Sequence, residues 1–158
     1  MNTRVQESVW DYPRPPRIDP SKETVEVWFG GIQVALSTAT LRVLETSHPP
    51  VYYFPPEDIR EDLLKAISGS SNCEWKGAAS YFNLVVGGKS AQRAVWTYRG
   101  PGSAFMPIAG YYAFYPSKME RCIVDGYEVQ PQEGDFYGGW ITPNIQGPFK
   151  GGHGTWGW

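Results

Sequence analysis

Thr24-Val25-Glu26-Val27-Trp28-Phe29-Gly30-Gly31-Ile32-Gln33-Val34-Ala35-Leu36 decides the fold. Val25, Val27 and Phe29 alternate with Thr24, Glu26 and Trp28, the period of a strand with one buried face. Gly30-Gly31 is a two-residue loop that can take the positive φ angles of a tight hairpin turn. Ile32, Val34 and Leu36 then resume the alternation. The same layout returns further along: Phe82, Leu84 and Val86 alternate with Tyr81, Asn83 and Val85, Gly87-Gly88 turns, and a return strand runs through Ala94, Trp96 and Tyr98. Two similar hairpin units predict a pseudo-duplicated, mainly-β single domain of antiparallel strands in a curved, tent-like or barrel-like sheet.

Working outward, Leu41 to Leu44 and Val51 to Phe54 read as strands, as do Ile108 to Tyr115 and Met119 to Val124. Asp125-Gly126 is a third hairpin signal, leading into Tyr127-Glu128-Val129. Pro55-Pro56-Glu57-Asp58 looks like a helix start, with proline in the first turn and acids at the positive end of the dipole. Ile59, Leu63 and Ile67 recur every four residues, and Gly69 would end this one short helix. Its second half, Leu63 to Ile67, also reads as a strand. Residues 1–20 form a proline-rich arm held down by Trp10 and Tyr12, residues 21–130 the β core, and residues 131–158 an extension. From Gly134 onward, eight of 25 residues are glycine, and Trp140, Trp156 and Trp158 lie among them. A solvated linker has no use for three tryptophans, so the extension is expected to lie extended along the body or to dock on a partner.

The chain has 158 residues, of which 41% are hydrophobic and 19% charged, enough apolar matter for one core. Gly and Pro make about a fifth of it, against an average of about 12%, as many short elements joined by turns require. The net charge is −2 with no basic block, which argues against nucleic acid as a partner. No apolar run is long enough to span a membrane, and Met1-Asn2-Thr3-Arg4 opens no signal peptide. Cys73 and Cys122 are far apart with no CxxC, which implies a reduced, cytoplasmic setting, a disulfide between them being the alternative. Oligomeric state is not legible.

Several stretches carry a family resemblance: Glu7 to Pro13, Leu41 to Glu45, His48-Pro49-Pro50-Val51-Tyr52-Tyr53-Phe54-Pro55, Cys73 to Gly77, Ala94 to Tyr98 and Ile108 to Tyr111. Together they resemble the domain of unknown function 427 family from about Glu7 to about Val129. Beyond Val129 the tail is similar to the extension of members from oxygenic phototrophs. Glu74-Trp75 departs from the pattern, which has proline after the cysteine. The resemblance implies a mainly-β body without metal and little about activity. The family also carries a nucleotidyltransferase label. That chemistry needs clustered carboxylates on a divalent metal, typically Asp-x-Asp after a Gly-Ser helix start. Gly69-Ser70 is present, no Asp-x-Asp follows, and Glu57, Asp58, Glu61 and Asp62 read as a solvated face.

Three sets of residues could carry chemistry. Lys76, three residues after Cys73, could lower the thiol pKa or meet an anionic group, though a buried thiol beside a turn lysine is commoner. Glu45 could orient His48 as a base, although His48-Pro49-Pro50 is a turn in which an exposed histidine is ordinary. His153, among glycines, reads as solvent-facing, and the ligand spacing of a metal site is lacking. The third set is aromatic. Trp96 and Tyr98 share one strand face, and Tyr111, Ala113 and Tyr115 share another; with Tyr53 and Tyr81 these faces line either a core or a cleft. The reading that follows is a small-molecule binding module with no cofactor, its pocket walled by Tyr53, Tyr81, Trp96 and Tyr98 and rimmed by Glu45, His48, Cys73 and Lys76. The alternatives are an enzyme using Cys73, His48 or Lys76, and a protein-interaction domain acting through the Trp-rich tail.

Overall fold

The computed structural model describes residues 5–73, 76–134, 137–152 and 154–158, without the side chains of residues 72 and 73. Strands β1 (Glu7–Ser8), β2 (Arg17–Pro20), β3 (Val25–Phe29), β4 (Ile32–Ser37), β5 (Leu41–Leu44) and β6 (Val51–Tyr53) come first. The strands β7 (Leu64–Cys73), β8 (Gly77–Val86), β9 (Lys89–Thr97) and β10 (Tyr112–Phe114) follow. Then come β11 (Arg121–Val124), β12 (Tyr127–Glu128), β13 (Gln130–Pro131), β14 (Trp140–Ile141) and β15 (Ile145–Gln146). The chain is mainly β, as the alternation predicts, and its sheets stay open rather than closing into a barrel. Among the described residues no helix is long and apolar enough to cross a membrane.

The sheet β10-β9-β8-β7 separates two apolar clusters. Because successive side chains of a strand point to opposite faces, Tyr81 and Phe82 part company, as do Val95 and Trp96, and Ala113 and Phe114. Phe82, Val95 and Phe114 pack with Val25, Val27 and Val34 of the sheet β12-β11-β3-β4. On the far side Tyr81, Trp96 and Ala113 pack with Val43 and Tyr53 of the sheet β2-β5-β6. Burying each such aliphatic or aromatic side chain contributes about 1.5–3 kcal/mol. The sheet is thus used on both faces.

Both glycine-glycine hairpins form with two-residue loops, Phe29 pairing Ile32 and Val86 pairing Lys89. The expected alternation in β4 does not hold throughout. A bulge between Val27 and Trp28 shifts the register, so Val34, Ala35 and Ser37 turn inward and Leu36 faces solvent. In the second hairpin a similar shift sits between Phe82 and Leu84, with Arg93 in the left-handed region and its N–H donating to Asn83 Oδ1 at 2.7 Å. The shift puts Ala94 in the cluster with Val95, not beside Trp96 as simple alternation implies.

The helix start after Pro55 is present as a 3-10 turn, Pro56–Asp58, followed by a second, Glu61–Leu63. Neither continues as a helix. From Leu64 the chain follows the alternative reading and becomes β7, which runs on through the polar stretch to Cys73 and pairs with β8. Ser68-Gly69-Ser70-Ser71-Asn72 contains no good helix former, and Gly69, with φ +95°, sits in a bulge instead of ending the element. The strand expected over Ile108 to Tyr115 shortens to β10, since Ser103–Ile108 is itself a 3-10 turn.

The arm and the extension meet. β1 pairs in parallel with β15, and Trp10 Nε1 donates to the Pro148 carbonyl at 2.8 Å.

The hairpin tips meet as well. Gly30 has φ +62°, and a Cβ there would lie 2.5 Å from Cγ1 of Val86, the residue that leads into the other glycine pair. Gly88 has open space around it and no positive φ. Gly30→Ala is therefore expected to cost about 2 kcal/mol, from the left-handed backbone and overpacking. Gly88→Ala should stay within about 0.5 kcal/mol. Denaturant melts of the two variants check the difference, and equal midpoints would mean that the tips do not touch.

Candidate functional site

The aromatic faces converge. Trp96 and Tyr115 have ring centroids 4.6 Å apart, Tyr53 stands edge-on to Trp96 at 6.3 Å, and Tyr53 and Tyr98 are 6.5 Å apart. The polar ends of these rings are partnered: Trp96 Nε1 donates to the Tyr53 hydroxyl at 3.2 Å, and the Tyr81 hydroxyl is 2.6 Å from Ser71 Oγ. The Arg93 guanidinium carbon is 4.0 Å from the Tyr81 ring centroid. Burial, with Tyr81 beside it, pushes the Tyr115 phenol up, so it stays protonated. These rings wall one side of a cavity of about 310 Å³.

A turn supplies the second side. The His48 N–H donates to the Glu45 carbonyl at 3.0 Å, with Ser47 at φ +72° between them. That left-handed residue folds the chain so that Glu45 and His48 both reach the cavity. His48 is not the exposed turn histidine of the simpler reading, because its side chain is only 14% exposed. Gln132 fixes its tautomer. The Gln132 amide is oriented by the backbone, Oε1 accepting from Gly139 N–H at 3.1 Å and Nε2 donating to the Lys150 carbonyl at 2.7 Å. Nε2 also lies 3.3 Å from His48 Nδ1, so Nδ1 accepts and the imidazole proton sits on Nε2.

Burial first, then the charges of Lys150, Arg14 and Lys76, push His48 down to about 4. The imidazole is neutral at pH 7. Glu45 Oε2 is 3.7 Å from His48 Nε2 but also 3.5 Å from Arg14 Nε, so it does little to favour the charged ring.

The extension closes the third side. Lys150 N–H donates to the Ser47 carbonyl at 2.8 Å and Trp140 N–H to the Pro50 carbonyl at 2.8 Å, which lays the tail along the turn. Gly138 presses on the indole: a Cβ there would lie 2.4 Å from Cη2 of Trp96. Room beside Trp96 thus comes from Gly138, not from Ala94.

Glu45, His48, Tyr53, Lys76, Tyr81, Trp96 and Tyr98 therefore line one cavity. Cys73 is placed only by its backbone, paired with Gly77. Its side chain, like residues 74 and 75 and His153, lies outside the described residues, and the pairing of Cys73 with Lys76 with it. Cys122 holds a free thiol, buried against the other cluster and pushed up by that burial. Sequence reasoning placed Tyr115 on one of the aromatic faces without naming it in the pocket, and missed Ser71, Gln132, Tyr137, Gly138 and Lys150. The available signal was Lys150, the only Lys or Arg of the extension. Among the described residues no three of His, Cys, Asp and Glu come together as metal ligands.

No curated protein matches the chain. A family profile does, over residues 17–125, more than half of its length. The profile ends before Gln132, Tyr137, Gly138 and Lys150, so these wall residues lie beyond the shared segment. The chain belongs to the family described as Domain of unknown function (DUF427).

Proposed function

We propose that the protein binds a small molecule in this cavity, against the indole of Trp96. The observation that carries the reading is the convergence of Tyr53, Tyr81, Trp96, Tyr98 and Tyr115 on one cavity that placed polar groups, among them His48, Lys76 and Lys150, also line, an aromatic wall with placed polar groups being usual for a small-molecule site. The volume, about 310 Å³, falls at the lower end of the 300–1,000 Å³ or so that such sites occupy. Binding is favoured over catalysis by the state of His48. Its one lone pair accepts from Gln132, so it has none to offer as a base. The setting that goes with this reading is the reduced cytoplasm expected from the cysteine usage.

The test is a tryptophan-fluorescence screen of a metabolite library against wild type and Trp96→Phe. At least one compound should quench the wild type, and the variant should lose most of that response. A melt of the variant should show a smaller loss than the roughly 3–5 kcal/mol of an alanine truncation. A library in which nothing quenches the wild type, or a variant that responds like it, overturns the reading.

A further inference from the structure

Two lysines line the cavity, and among the described residues only one acid does. Lys76 is only 9% exposed yet lines it. The Lys76 ammonium lies 5.9 Å from the ring centroids of Tyr98 and Phe105. Among the described residues it has no carboxylate and no hydrogen-bond acceptor. A buried ammonium is costly unless something pairs with it, and two aromatic faces compensate only in part. A second cation, Lys150, lines the same cavity, 5.8 Å from the Tyr137 ring and 3.3 Å from the Trp158 backbone oxygen. Among the described residues the one acid in the lining, Glu45, already faces Arg14. The excess is local, because the whole chain has a net charge of −2.

We propose that the ligand is an aromatic compound of one or two rings bearing one carboxylate or like anion, its ring on Trp96 and its anion at Lys76. This rests on the binding reading above and adds the charge and the shape of the ligand. A cationic ligand would meet Lys76 and Lys150 unopposed. A neutral one would leave the Lys76 ammonium without an anionic partner among the described residues. An aliphatic anion would satisfy Lys76 and leave the aromatic wall without a partner. A cavity of about 310 Å³ has room for a ligand of one or two aromatic rings.

Three probes of one shape separate these cases: 2-naphthoate, 2-naphthalenemethanol and 2-naphthylmethylamine, titrated against the full chain by tryptophan fluorescence. A charged hydrogen bond made only by the anion gives about 10- to 100-fold tighter binding of the naphthoate than of the alcohol, with the amine weakest. Lys76→Met should abolish the preference for naphthoate over the alcohol, and Lys76→Arg should retain it. If Lys76→Met fails to fold, the probe series on wild type and Lys76→Arg still decides. Equal binding of naphthoate and alcohol, or a preference that survives in a folded Lys76→Met, overturns the anion assignment and leaves the binding reading standing. Failure of all three probes to bind overturns the aromatic-anion assignment, and the metabolite screen alone then decides the binding reading.

Discussion

Trp140→Ala is expected to lower the stability of the protein by about 3–5 kcal/mol, the usual loss for a truncated core tryptophan. Trp140 is fully buried although it lies beyond the segment matched by the family profile. Its ring stands 5.1 Å from Tyr52 and 6.1 Å from Phe54, and its Nε1 donates to the Phe114 carbonyl at 3.1 Å. Truncation removes the ring contacts and leaves a buried carbonyl without its donor, which adds about 1–3 kcal/mol where no water enters. The whole of a typical domain's stability is about 5–15 kcal/mol, so the variant is close to unfolded. A urea melt checks this. A shift below about 1 kcal/mol would mean that the extension only rests on the body.

Stability should also fall as pH drops from 6.5 to about 4, and His48 should carry much of the fall. The imidazole has its ordinary value of 6.5 in the unfolded chain and about 4 when folded. Between these values the unfolded chain binds the proton and the folded chain does not. Stability therefore rises with pH across this window and is lost as pH falls through it. At 1.36 kcal/mol per pH unit, His48 alone accounts for about 3 kcal/mol. The comparison is between wild type and His48→Asn, which differ only in the imidazole. Denaturant midpoints from pH 4 to 7 should show a shallower dependence in the variant. Parallel curves would mean that His48 takes up its proton in the fold without cost.

Much of this was legible in the chain because local chemistry and tertiary demand agreed. Gly30-Gly31 and Gly87-Gly88 are turns by necessity, and the flanking alternation leaves one pairing for each. Trp96 and Tyr98 were identifiable as one strand face and Tyr111, Ala113 and Tyr115 as another, because aromatic residues on one face must go somewhere together. The failures have a common cause. Leu36 and Ala94 were placed by simple alternation, and a bulge inside each hairpin reversed them. β7 was obscured because Ser, Gly and Asn favour no element, and only the edge of β8 makes that stretch a strand. Gln132, Gly138 and Lys150 belong to the cavity through contacts with residues more than forty positions away, a relation no local pattern records.

The pairing of β1 with β15 has a consequence for the order of events in making the protein. Chains grow from the N-terminus, at about 5–20 residues per second, and both hairpins, with all of β3 to β10, are synthesised before residue 115. The sheets that form the aromatic wall can therefore assemble while the ribosome is still adding the tail. Glu7 finds no partner until Ile145 exists. His48 waits for Gln132, and the Trp96 ring lies uncovered until Gly138 arrives. During that interval the nascent chain presents an indole and several phenols to water, the kind of surface that chaperones hold and that promotes aggregation. Closing so long a loop is the slowest contact for the chain to find by diffusion. The cavity is thus completed last, after residue 150 has been added, and a chain terminated before Gly138 would lack the backbone that covers the outer edge of the Trp96 ring.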